Sequence, residues 1–284
     1  MAVKETEESE LIRERQEYGL PHPRAIDNNS ASRQLELLNR GNAILGQFFP
    51  TTNLPKIDGI TYSALSKPLE YMSGDVHGVV KLDDGKFGLY VGDVTEHGPG
   101  AALAGTYLRG MFDSLQARGL WRNPGEMMRQ ADSILAENLP EDQSATLFYG
   151  VYDSLTRKLT YVNAGHTRPI LYHAETGEVE VCGAGGLPLG YMKGVNREFN
   201  KGYETGNVTL KENDILLVYT DGLSEGLGVK KSGKDVELLG DLIGKNKNLT
   251  PSQLTETLAG MAKDVRDDVT IMVFKVDPGK LSHS

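Results

Sequence analysis

The chain has 284 residues, 39% of them hydrophobic, enough for a sizeable core in one large domain or two small ones. A net charge of −9 and a pI near 5.3 exclude non-specific nucleic-acid binding, which needs concentrated lysine and arginine. No apolar run approaches the roughly 18–20 residues of a membrane span, no secretory h-region opens the chain, and the single Cys182 excludes an internal disulfide framework; the expectation is a cytoplasmic protein that does not engage a membrane.

Residues 1–30 read as a charged, mobile tail, with Lys4-Glu5-Thr6-Glu7-Glu8-Ser9-Glu10 near its start and a Pro21-His22-Pro23 break. Residues 31–50 form a second region, helical to Phe49. Leu35, Leu38, Leu45 and Phe49 make an apolar stripe that contains Asn42, and Pro50 ends it. Such a stripe suits a homodimer seam through residues 31–49, where an Asn can fix register, and equally a helix packed on its own domain.

Residues 51–278 read as one domain, followed by a short tail, 279–284. Strands are predicted at Ile60 to Ser66, Val79 to Leu82, Lys86 to Asp93, Thr146 to Tyr152, Lys158 to Asn163 and Pro169 to His173. Further strands follow at Glu178 to Cys182, Val208 to Leu210, Asp214 to Thr220 and Val269 to Val276. Asp83-Asp84-Gly85 and Asp153-Ser154-Leu155-Thr156 are hairpin turns, which favours antiparallel pairing. Helices are predicted from Gly100 to Ala117, from Pro124 (capped by Asn123) to Asn138, and from Pro251 (capped by Thr250) through Leu254, Leu258, Met261 and Val265. Strand runs broken by two helical blocks, without regular βαβ alternation, imply an α+β fold: two packed sheets with helices outside.

Four aspartates stand beside these strands: Asp75 in Ser73-Gly74-Asp75, Asp93 in Val91-Gly92-Asp93-Val94, Asp221 in Tyr219-Thr220-Asp221-Gly222, and Asp267 in Asp267-Asp268-Val269-Thr270. Any one Asp-Gly pair is ordinary turn chemistry. Four at the ends of buried strands point instead to one shared site. Carboxylates gathered there repel one another and lose hydration unless cations neutralise them. With six histidines and no His-x-His or His-Glu-x-x-His spacing, zinc is disfavoured; an all-oxygen set favours magnesium or manganese. Two such ions roughly 3.5–4 Å apart would offset about four negative charges and activate a water for attack on phosphorus.

Other motifs carry less. Cys182 sits late in an apolar strand and reads as structural. Gly183 to Gly190 lacks the Gly-Lys-Ser/Thr of a P-loop and reads as a bulged strand-turn. His166 either faces the site or makes a structural hydrogen bond, and His97 either assists a leaving group or packs its loop.

Taken in order, Ser73-Gly74-Asp75, the run Gly92 to Ala102, Asn163-Ala164-Gly165-His166, Gly186 to Gly190, Tyr219 to Glu225 and Asp267-Asp268-Val269-Thr270 resemble the bacterial PPM phosphatases of the SpoIIE type. These are metal-dependent serine/threonine protein phosphatases, and the resemblance covers roughly residues 45–276. It implies a central β-sandwich flanked by helices and two Mn²⁺ or Mg²⁺ ions. It implies that Asp93 bridges both ions, that Asp75 and the Val94 carbonyl serve one, and that Asp221 and Asp267 serve the other. Asp268 would lie behind these ligands or on a third ion. The implied reaction is attack by a metal-bridged hydroxide on a phosphoserine or phosphothreonine, the implied partner a phosphorylated anti-sigma-factor antagonist. The 31–49 helix resembles the family's regulatory linker.

Two positions depart from the pattern. Gly78 stands where many relatives carry a second aspartate, and Glu96 where glycine is frequent. The Gly78 departure supports an alternative, a low-turnover switch module of the same fold. A two-metal nuclease is disfavoured by the acidic balance.

Overall fold

The computed structural model describes residues 28–183, 185–192, 202–229 and 233–279. Most of the expected 1–30 tail and residues 280–284 lie outside the described residues. The chain divides into two compact units, one ending at Ile44 and the other running from Leu45. Helix α1 (Asn28–Phe48) begins in the first, where Leu35, Leu37 and Ile44 are exposed. In the second unit Leu45 packs against a core to which Phe49 belongs.

The second unit is an α+β sandwich of two sheets, as expected. One sheet has the order β1-β11-β10-β6-β7, from β1 (Ile60–Lys67), β6 (Ile170–Tyr172), β7 (Val179–Val181), β10 (Ile215–Tyr219) and β11 (Val269–Val276). The other has the order β2-β3-β4-β5-β8, from β2 (Asp75–Lys81), β3 (Lys86–Val94), β4 (Ala145–Asp153), β5 (Lys158–Ala164) and β8 (Gly185–Gly186), with β9 (Thr205–Thr209) also on β5. All pairings are antiparallel except β5 with β8.

The apolar runs serve two faces at once. In β10, Leu216 and Val218 join the inter-sheet core, while Ile215, Leu217 and Tyr219 pack outward among helical residues. Such strands lack polar alternation because both sides are covered. Helices α2 (Pro99–Ala117) and α3 (Pro124–Asn138) cover the second sheet through Leu108, Phe112, Met127, Met128 and Leu135. Helices α5 (Lys234–Lys245) and α6 (Pro251–Met261) cover the first through Leu239, Ile243, Leu254 and Leu258. A one-turn helix, α4 (Asp221–Gly226), follows β10.

Local chemistry sets the boundaries. Asp84 and Gly85 both have positive φ (57° and 69°), as a two-residue primed turn between β2 and β3 requires. Asn123 caps α3 by accepting from the Glu126 amide, and Thr250 and Gln253 form a reciprocal capping box on α6. Strand β2 starts at Asp75, four positions ahead of the predicted Val79, because the ladder with β3 runs on past the weakly strand-forming His77-Gly78. Helix α5 was not predicted, since Gly240 and Gly244 interrupt its pattern. Both glycines accommodate close neighbours: a Cβ on Gly240 would lie 2.7 Å from Val179, and one on Gly244 3.2 Å from Tyr172.

Candidate metal centre

Asp75 and Asp93 are direct cross-strand partners in the β2–β3 ladder. Alternation places both on the face that carries Val79, Leu89 and Val91 into the inter-sheet core. Like charges directly opposite one another destabilise a ladder. The other sheet adds two more acids at the same end. Asp221 opens α4 just beyond β10, and Asp267 stands two residues ahead of β11.

Carboxylate oxygens of Asp93, Asp221 and Asp267 all lie within 4.8 Å of one another. Asp93 and Asp267 are partly buried, and Asp221 forms the exposed lip. Asp75 lies deeper, at 3% exposure; its Oδ2 accepts from Thr220 Oγ1 (3.0 Å), while its buried Oδ1 has no partner. The Val94 carbonyl borders Gly74, the residue before Asp75: a Cβ on Gly74 would lie 3.3 Å from that oxygen. Asp268 is turned elsewhere: Oδ1 accepts from the Leu69 amide and Oδ2 from the Gly74 amide, both at 2.7 Å. Close backbone approach holds the two acidic loops together. A Cβ on Gly222 would fall 2.2 Å from the Asp268 carbonyl oxygen.

The electrostatics follow from burial and crowding. Burial, followed by the charges of Asp75, Asp221, Asp267 and Asp268, pushes the Asp93 carboxyl up to about 9. Burial raises Asp75 well above the carboxylate range; the nearby Thr270 and Thr220 hydroxyls oppose this, and Asp268 and Asp221 add to it. Asp221 is raised by loss of hydration around its carboxyl and then by Asp267 and Glu225. Among the described residues no lysine or arginine forms an ion pair with Asp75, Asp93, Asp221 or Asp267. Converging oxygens, an orphaned buried Oδ1 and no protein counter-charge fit a hard divalent cation, and the absence of His and Cys from the set disfavours zinc.

The two histidines separate. His166 is 6% exposed; its amide donates to Asn163 Oδ1 (2.7 Å), and its Nδ1 lies 2.9 Å from the hydroxyl of Thr146, the cross-strand partner of Asp93. It braces the strand behind Asp93, and burial pushes its imidazole down to about 3. His97 is half-exposed, with Nδ1 3.7 Å from the Glu70 carboxylate. Cys182 is buried and its thiol is pushed up to about 12, mainly by burial, so it is no nucleophile. Sequence reasoning missed Thr220. Its signal was position: a hydroxyl between the end of an apolar strand and an Asp-Gly pair.

The family model for stage II sporulation protein E (SpoIIE) matches residues 83–277, more than half of the chain. The chain belongs to the SpoIIE family. Asp93, Asp221, Asp267 and Asp268 fall inside the matched range, while Asp75 precedes it. Among curated relatives, the phosphoserine phosphatase RsbU of Bacillus subtilis is 26% identical over 174 residues, 61% of this chain and 49% of RsbU. The chain spans half or less of the length of such relatives. Among solved structures, the SiaA-PP2C domain of Pseudomonas aeruginosa superposes with a TM-score of 0.70 at 20% identity, covering 87% of this chain and 99% of that one. RsbX in complex with magnesium gives 0.60 at 15% identity, covering 79% and 99%. The SpoIIE-family chain thus has the PP2C-like sandwich. No helix among its described residues is long and apolar enough to cross a membrane.

Proposed function

We propose that this chain is a metal-dependent protein phosphatase acting on a phosphoserine or phosphothreonine monoester. The observation that carries the proposal is the convergence of Asp93, Asp221 and Asp267 oxygens, drawn from both sheets, to within 4.8 Å at the open end of the sandwich. Support comes from RsbU, named a phosphoserine phosphatase, and from RsbX, whose structure contains magnesium.

In this reading Asp93 is the central ligand. Asp75 and the Val94 carbonyl would hold one divalent ion, and Asp221 and Asp267 would hold the other. Such ions would supply Lewis acidity, lowering the pKa of a bound water and offsetting charge on the phosphoryl oxygens. The protein's own contribution is placement. The β2–β3 ladder fixes Asp75 against Asp93, Thr220 orients the Asp75 carboxylate, and exposed Asp221 leaves the approach open from one side. The substrate class proposed is a phosphorylated anti-sigma-factor antagonist of a partner-switching pathway. Manganese-dependent hydrolysis of p-nitrophenyl phosphate and of a phosphoserine protein, abolished by EDTA, is the expected result. Metal binding without hydrolysis of either would refute it.

The alternative, a low-turnover switch module, would rest on Gly78. By alternation a side chain there points away from Asp75, and its Cβ would lie 2.5 Å from the Tyr90 hydroxyl. An aspartate at 78 would thus not face the cluster, so its absence takes nothing from the proposed ligands.

A further inference from the structure

Asp268 is 1% exposed, yet it spends both carboxylate oxygens on backbone amides rather than on its acidic neighbours. The two bonds, each 2.7 Å and assisted by charge, run from the lead-in of β11 to Leu69 and Gly74, more than 190 positions away in sequence. They tie one sheet to the loop that enters the edge strand of the other. Strand β2 pairs with β3 alone, so its first residues have no second strand to hold them.

Gly74 is where that hold reaches the metal centre. It directly precedes Asp75 and sits with no room for a side chain: a Cβ would lie 2.9 Å from Ala101 Cβ and 3.3 Å from the Val94 carbonyl. Fixing the Gly74 amide therefore fixes the start of β2 against both the Val94 carbonyl and α2. Thr220 completes the joint from the first sheet. Its hydroxyl donates to Asp75 Oδ2 (3.0 Å) and accepts from the Thr270 amide (2.9 Å).

We infer that Asp268 is a positioning residue: through Gly74 it sets where Asp75 meets Asp93, and it lends no oxygen to an ion. The inference rests on reading the cluster as a metal site. Asp268→Asn preserves size but sets an NH₂ against one of the two amide donors, so one of the bonds is lost. In calorimetric titration of the whole chain with Mn²⁺, the variant binds as many ions as the wild type, with affinity lowered about 10–100-fold. With p-nitrophenyl phosphate its kcat falls while KM changes little, and Thr220→Val shifts affinity and kcat in the same direction. Loss of one bound ion in Asp268→Asn would make Asp268 a ligand and overturn the inference. So would a lowered melting temperature with unchanged affinity and kcat, the mark of a merely structural role. A wild type that binds no divalent ion would overturn the metal reading together with the inference, whereas wild-type binding matched by the variant overturns the inference alone. Should the Asn variant fail to fold, wild-type hydrogen exchange decides: the Leu69 and Gly74 amides stay protected before and after Mg²⁺ is added, and release of Gly74 by Mg²⁺ refutes the clamp.

Discussion

Replacing Asp93 with Asn should make the metal-free protein more stable while removing its response to metal. The Asp93 carboxyl, raised from 3.8 to about 9 in the folded state, keeps its proton at pH 7, whereas the unfolded chain releases it. A raised folded value means that stability is fully present below pH 3.8 and is lost as pH rises toward 9. At pH 7 the gap of about 3 units, at 1.36 kcal/mol each, sets a ceiling of about 4 kcal/mol. Water entering beside the carboxylates reduces it. Asparagine keeps the β2–β3 ladder and carries no such proton, so this penalty disappears. At about 2–4 °C per kcal/mol for a domain of this size, the metal-free variant should melt up to roughly 10 °C above the wild type at pH 7. The difference should shrink as pH falls toward 4. Thermal unfolding in EDTA, followed by circular dichroism, measures it. Added Mn²⁺ should stabilise the wild type and leave Asp93→Asn unmoved, with phosphatase activity at least about a hundredfold lower, since even residues behind a ligand cost 10–100-fold. A variant that melts below the wild type in EDTA, or that keeps the Mn²⁺ shift, would refute the electrostatic account of the site.

Gly222→Ala should destabilise the fold by about 3 kcal/mol and weaken Mn²⁺ binding, because the new Cβ meets the Asp268 carbonyl at 2.2 Å; denaturant melts and calorimetry read both effects. Glu96 has φ +71°, so Glu96→Gly should raise stability by about 1 kcal/mol in urea unfolding, and a loss would show that the Glu side chain compensates. His166, held down to about 3 from 6.5, stays neutral when folded while the unfolded chain takes up a proton, so its contribution is present above pH 6.5 and is lost as pH falls toward 3. Between pH 6.5 and 5 the wild type should therefore lose about 2 kcal/mol more than His166→Gln, as measured by urea melts at each pH.

What was legible in the sequence was whatever burial writes into single strands. β11 was predicted with its observed limits because Val269 to Val276 is covered on both faces, and α3 because Asn123 and Pro124 announce its start. Asp93, Asp221 and Asp267 were legible for the same reason: a carboxylate where a buried strand meets a loop is costly unless it has a purpose. Elements that depend on partners distant in sequence were not legible. α5 looks broken by Gly240 and Gly244 until Val179 and Tyr172 are seen packed against them. The division of labour between Asp267 and Asp268 was hidden likewise. The two residues are chemically alike and adjacent, but in the bend ahead of β11, where the Asp268 amide donates to Asp267 Oδ1, their side chains turn apart. One carboxylate is thereby aimed at Asp93 and Asp221, and the other at the Leu69 and Gly74 amides, so that one dipeptide supplies both a charge for the site and the brace that aligns the opposite sheet with it.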